Sequence, residues 1–235
     1  PLEAGVSPGF VVLEDSAAAN TSRQARDSLA EYAYNHPDGP VGRAFDQLSV
    51  DLDYERFGKL FADFEARRRE ISAFISADGG YEGLEDRVWN SCGFTAAPDV
   101  AAVEADALGA IDWTQWYRAA DAVLACGQKT DLALGEALKG VNADSSLGEV
   151  WACLSTKTDA TPLKTLGTAK VAPWAKDFLR AEQDRLGDVR ALLNKAKVAQ
   201  DTIHVLTLAQ AYVTAYESYK ALHSALDFGD LIVKT

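Results

Sequence analysis

From Trp174 to Leu226 the chain contains no proline and a single glycine, Gly187. With backbone breakers absent over such a length, the run is predicted to be helical throughout, and everything else must pack around it. Its first part carries Phe178, Leu179, Leu186, Val189 and Leu193; its second carries Val198, Val205, Leu208, Tyr212, Ala215, Tyr219 and Leu222. The second set steps by seven, three, four, three, four and three, a heptad seam that calls for a partner helix. Asp201 falls on the seam between Val198 and Val205, so a break or bend near Gln200 is expected. Two long C-terminal helices of about 25 residues each would result.

Helical spacing recurs upstream. Asp15 or Ser16 can cap a helix reaching about Asn35, where the sequence HPDGP stops it. A second helix is predicted over Val41 to Val50. Asp53 caps a third, read as continuous to about Ser76 on the apolar stripe Phe57, Leu60, Phe61, Phe64, Ile71, Phe74 and Ile75. Further helices follow through Leu84, Val88 and Trp89, from Pro98 at a first helical position, from Asp112 to a stop at Gly127, and from Thr130. Residues 155–173 hold two prolines, a glycine and six Ser/Thr, and read as the longest irregular stretch. The predicted class is all-α: one irregular multi-helix subdomain over 1–235, with short extended segments at both termini (1–14 and 227–235).

Hydrophobic residues make up 48% of the chain, ample for a buried core. No apolar run approaches a membrane span, and no membrane partner is expected. Cys92, Cys126 and Cys153 stand far apart without CxxC spacing, which predicts structural thiols in a reducing compartment. The five tryptophans, Trp89, Trp113, Trp116, Trp151 and Trp174, fall mostly at helical spacing and read as packing anchors rather than base-stacking platforms.

Net charge is −12, but its distribution is uneven. Residues 1–163 hold 13 Lys+Arg against 27 Asp+Glu, whereas residues 164–235 hold 10 against 8. A local basic patch suffices for phosphate contact, so Lys164, Lys170 and Lys176 are candidate contacts. Mixed ion pairs on a solvated helix are the other reading of that region, since Glu182, Asp184 and Asp188 lie among the bases. Arg67, Arg68 and Arg69 form the densest basic cluster; they either reach a DNA backbone or balance Asp63, Glu65 and Glu70.

Chemistry-bearing motifs are lacking: GxxxxGK(S/T), GxGxxG, HExxH and GxSxG do not occur. Neither catalytic nor metal-ligating residues are predicted. His204 and His223 have no second ligand at metal spacing.

At the C-terminal end, ALDFGDLI (225–232) resembles the (A/L)-DF-x-DL-(I/L) element of UvrD- and RecB-type superfamily 1 DNA helicases. The opening segment PLEAGVSPGFVVLED resembles the stretch after the TIH-(S/A)-FC motif in AddA, the helicase-nuclease subunit of bacterial double-strand-break repair. Thr161, Pro162, Leu163, Lys164, Thr165, Leu166, Thr168 and Lys170 stand where AddA and RecB carry a basic LT-x-x-G-x-P-(R/K)-K segment, though with fewer bases here. The resemblance implies the 1B subdomain of an AddA-like protein, a piece of a longer chain that sits between two motor motifs.

What the resemblance further implies is a cytoplasmic parent using ATP and Mg to unwind and degrade DNA, with DNA, the rest of the helicase chain and an AddB-like subunit as partners. The insert itself would carry no cofactor and have no activity alone. Asp227, Phe228 and Asp230 would dock it onto the motor core: Phe228 as an apolar anchor, the aspartates as caps or acceptors. A different reading is a self-contained helical protein-protein interaction module that uses the seam from Val205 to Leu222.

Overall fold

The computed structural model describes residues 11–13, 15–77 and 80–226. Among them the fold is all-α, with ten helices and one pair of two-residue strands. The described residues group into two compact units. Both lie within the stretch read from the sequence as one helical subdomain. The first unit takes residues up to Thr95 and those from Val198 onward; the second is Ala96–Lys197.

In the first unit, α1 (Asp15–Asn35) ends where the sequence places the HPDGP breaker, and Pro40 opens α2 (Pro40–Asp51) at its first turn. Asp53 caps the next helix, its carboxylate accepting from Arg56 N at 2.8 Å. The predicted helix from Asp53 to Ser76 is in fact two, α3 (Tyr54–Ala66) and α4 (Arg68–Ser76), because Arg67 leaves helical backbone with φ −112° and ψ 17°. No glycine or proline marks this joint, and the seven-residue step from Phe64 to Ile71 hides it. A short α5 (Leu84–Ser91) follows.

Of these, α1 to α4 close on the later part of α10 (Pro173–Leu222), whose seam finds its partner inside the unit. Leu208 and Tyr212 are buried with Ala25 and Leu29 of α1 and with Phe61 and Phe64 of α3. Phe45, Phe57, Phe61 and Phe64 meet edge to face in succession, and Tyr212 extends the series at 5.1 Å from Phe61. Rings packed this way add to the area they bury. The seam is therefore spent on this core from Val205 to Tyr219, while Val198, at 60% exposure, and Leu222, at 78%, stand clear of it.

The two strands, β1 (Val11–Val12) and β2 (Ala225–Leu226), pair in parallel, Val11 opposite Ala225 and Val12 opposite Leu226. Val11 N donates to Ser224 O at 3.0 Å and Leu13 N to Leu226 O at 2.8 Å. Both valines remain exposed.

The second unit holds α6 (Val100–Gly109), α7 (Trp113–Leu124), α8 (Lys129–Lys139), α9 (Leu147–Leu154) and the earlier part of α10. Asp99 caps α6 by accepting from Ala102 N, so Pro98 precedes the cap instead of occupying the predicted first helical position. Asp112 caps α7 as expected, and Gly127 follows with φ +67°. The helix α9, absent from the sequence reading, opens on a capping box: Ser146 N and its hydroxyl donate to Glu149, while Glu149 N donates to Ser146 Oγ. Those two donors hold the Glu149 carboxyl below its ordinary value.

The α7 and α8 helices lie against each other, with Gly135 at the closest approach; a Cβ there would stand 2.5 Å from Leu124 Cγ. Trp116, Val123, Leu138, Leu154, Leu179 and Leu186 form the fully buried centre. Trp116 Nε1 donates to Leu138 O at 2.9 Å, so its indole is satisfied without water.

Two long C-terminal helices were expected; one continuous helix of 50 residues is found. Asp201 does not break it, because a half-buried Asp costs only about 0.7 kcal/mol of propensity, far less than losing a turn of helical hydrogen bonds. Thr202 instead returns its hydroxyl to Val198 O at 2.7 Å. The proposed docking residues Asp227, Phe228 and Asp230, with Leu231 to Val233, lie outside the described residues.

Candidate nucleic-acid interface

Residues 155–172 are irregular, as the Pro, Gly and Ser/Thr content predicts, yet they are pinned at several points. Ser155 and Pro162 form an isolated antiparallel bridge. Asp131, in the first turn of α8 and fully buried, accepts from Thr168 N at 2.8 Å and from Thr168 Oγ1 at 2.7 Å. Gly167 beside it holds φ +94°, and a Cβ at that position would sit 2.6 Å from Val171 Cγ2. Only glycine satisfies both demands.

The α10 helix supplies the remaining anchors. Gln183, 1% exposed, donates through Nε2 to Leu154 O at 2.6 Å and accepts from the Arg180 guanidinium. Arg180 also donates to Leu163 O at 3.0 Å and to Lys164 O at 2.9 Å. Further along, Arg190 lies 4.8 Å from the Trp151 ring centroid, and both side chains donate to Ala160 O. Ala160 itself has φ +50°, a conformation these two donors help to hold.

This scaffold brings two of the three predicted lysines together. Lys164 and Lys176 line one shallow cavity of about 380 Å³ along with Thr165, Asp177 and Arg180. Lys176 Nζ reaches Thr168 O at 3.5 Å, while Lys164 is exposed. Lys170 is also exposed, on the same loop but outside the cavity lining. Cations around a concavity can receive a phosphate, and Arg180 is already held by its backbone contacts, although Asp177 in the lining offsets part of the field. The second unit holds 12 Lys+Arg against 14 Asp+Glu, near balance, whereas the sequence assigned to the first unit holds 11 against 21.

Arg67 and Arg68 belong to the first unit and are not part of this cavity. Arg68 is occupied: its Nε stands 3.6 Å from Glu217 Oε1 and its guanidinium 5.9 Å from the Tyr216 ring centroid. Arg67 is exposed at the joint between α3 and α4. Of the tryptophans, Trp89, Trp116 and Trp151 are buried anchors, and Trp174 is partly exposed beneath Arg118.

Sequence reasoning passes over Asp131 and Gln183, and counts Arg180 only as one base of the stretch 164–197; these three residues shape the loop. Asp131 looks like an ordinary first-turn acid, and nothing in its neighbours signals a partner at Thr168. Among the described residues no group of three His, Cys, Asp or Glu is placed to hold a metal ion, and no helix is long and apolar enough to cross a membrane. The chain matches no protein-family model, no curated protein and no solved structure.

Proposed function

We propose that this chain is a DNA-engaging accessory subdomain of an AddA-like ATP-dependent helicase and nuclease acting in the repair of double-strand breaks. The observation that carries this reading is the parallel pairing of β1 with β2. A two-stranded parallel sheet with both valines exposed is not stable by itself, and parallel strands occur almost always inside larger covered sheets. Such a pair suits a helical body inserted between neighbouring strands of an α/β motor, which is where the resemblance of ALDFGDLI and of the opening segment places it. In this reading Lys164, Lys170 and Lys176 contact phosphate without reading sequence, and the parent's motor supplies ATP and Mg chemistry.

Titrating the chain with forked DNA across a salt series tests the proposal. Binding should weaken linearly on logarithmic axes, and the double variant Lys164→Ala, Lys170→Ala should lower the slope by about 2. Negligible affinity at low salt, or an unchanged slope in the double variant, would remove direct DNA contact from the proposal.

A further inference from the structure

A groove of about 790 Å³ lies in the first unit, lined by α1, α2 and α3. Its apolar lining includes Phe45, Phe57 and Phe61, locked edge to face at 5.2 Å centroid spacing. Tyr54, 96% exposed, stands among the lining residues. Basic groups on the rim come from two helices, Arg23 and Arg26 from α1 and Lys59 from α3.

Lys59 is paired with Glu55 at 2.7 Å, but neither Arg23 nor Arg26 has an ion-pair partner among the described residues. Arg26 Nε donates to Ser22 O at 3.3 Å, and Asp27 shares the lining, so the groove carries a small excess of positive charge within a unit whose sequence holds nearly twice as many acids as bases.

Gly58 gives a second, independent indication. It occupies the interior of α3 and lines the groove, yet a Cβ built there meets nothing within 4 Å. Glycine is among the poorest helix formers, and neither a left-handed backbone nor crowding requires it at this position. Its effect is to leave the groove open.

We propose that this groove docks an acidic peptide segment of a partner protein. A bulky apolar side chain of the peptide sits on Phe45 and Phe57, and its flanking carboxylates pair with Arg23 and Arg26. A nucleic-acid backbone, charged at every residue, would meet Asp27, Glu55 and the surrounding acids; a peptide can confine its charge to the two arginines. The inference is independent of any DNA contact made by the second unit.

Fluorescence anisotropy with the full chain and a fluorescein-labelled, otherwise uncharged peptide in which phenylalanine is flanked by two aspartates tests it. The wild type should bind, and replacing both aspartates by asparagine, or the phenylalanine by alanine, should weaken binding by about tenfold or more. Arg23→Glu with Arg26→Glu should do the same. Gly58→Leu should block the groove while leaving the melting temperature unchanged or raised. The proposal is overturned if the wild type fails to bind at about millimolar peptide, if the asparagine or alanine peptide binds as well, or if Gly58→Leu has no effect. Displacement of the probe by a single-stranded oligonucleotide of equal or higher affinity overturns it too.

Discussion

The fully buried Asp131 carboxylate takes both the backbone N–H and the hydroxyl of the half-buried Thr168, a residue 37 positions later. Removing it leaves a backbone donor without a partner. Asp131→Ala should lower stability by about 3 kcal/mol in urea unfolding and speed amide exchange across 163–171. Asp131→Asn keeps one acceptor, and the Thr168 hydroxyl can turn to accept from the new amide, so that variant should lose less than half as much.

Two glycines should respond to alanine with opposite signs. Gly167→Ala forces a Cβ onto Val171 at φ +94° and should cost about 2 kcal/mol or more. Gly58→Ala enters open space within a helix and should add about 1 kcal/mol. Thermal melts of the two single variants decide the matter.

Within the arginine cluster, stability should separate neighbours. Arg68→Ala loses the Glu217 contact and the Tyr216 ring and should cost about 1 kcal/mol. Arg67→Ala, at an exposed joint, should stay within about 0.5 kcal/mol of the wild type. Chemical denaturation of each variant measures the difference.

Alkaline pH should destabilise the fold through two acids buried in their neutral form. Burial pushes the Cys153 thiol from 9.0 up to about 11, and burial together with the Glu65 carboxylate pushes the Tyr212 hydroxyl well above its ordinary value. Each group holds its proton in the folded chain at a pH where the unfolded chain has released it. For Cys153 this contribution is complete below about pH 9 and is lost as pH rises towards 11, a fall of about 2 kcal/mol. Cys153→Ala should flatten that part of the profile in urea unfolding at successive pH values.

What was legible in the sequence was local. Asp53 and Asp112 announce their helices because a capping carboxylate precedes an apolar stripe, and HPDGP ends α1 because proline cannot continue it. The Ser146–Glu149 box was equally local, but it opens a helix of only eight residues, too short for periodicity to show. The joint at Arg67 left no trace, since the apolar spacing runs straight across it. The continuity of α10 is hidden because an aspartate on the seam suggests a break, yet costs too little in helix propensity to cause one. Least visible was the lysine loop. Its lysines could be picked out by charge, but the contacts that place them, Asp131 to Thr168 and Gln183 to Leu154, join side chains to distant backbone and follow no pattern along the chain.

Parallel pairing of Val11–Val12 with Ala225–Leu226 also limits how the chain can be shortened. Strands that run the same way cannot be joined by a tight reversal; the path must return to its starting side, which takes a dozen residues or more. Everything from Leu13 to Ser224 is thus a single oversized crossover, and a minimal version that keeps the strand pair would need a bridging segment of about that length, with a two-residue hairpin splice ruled out by direction alone.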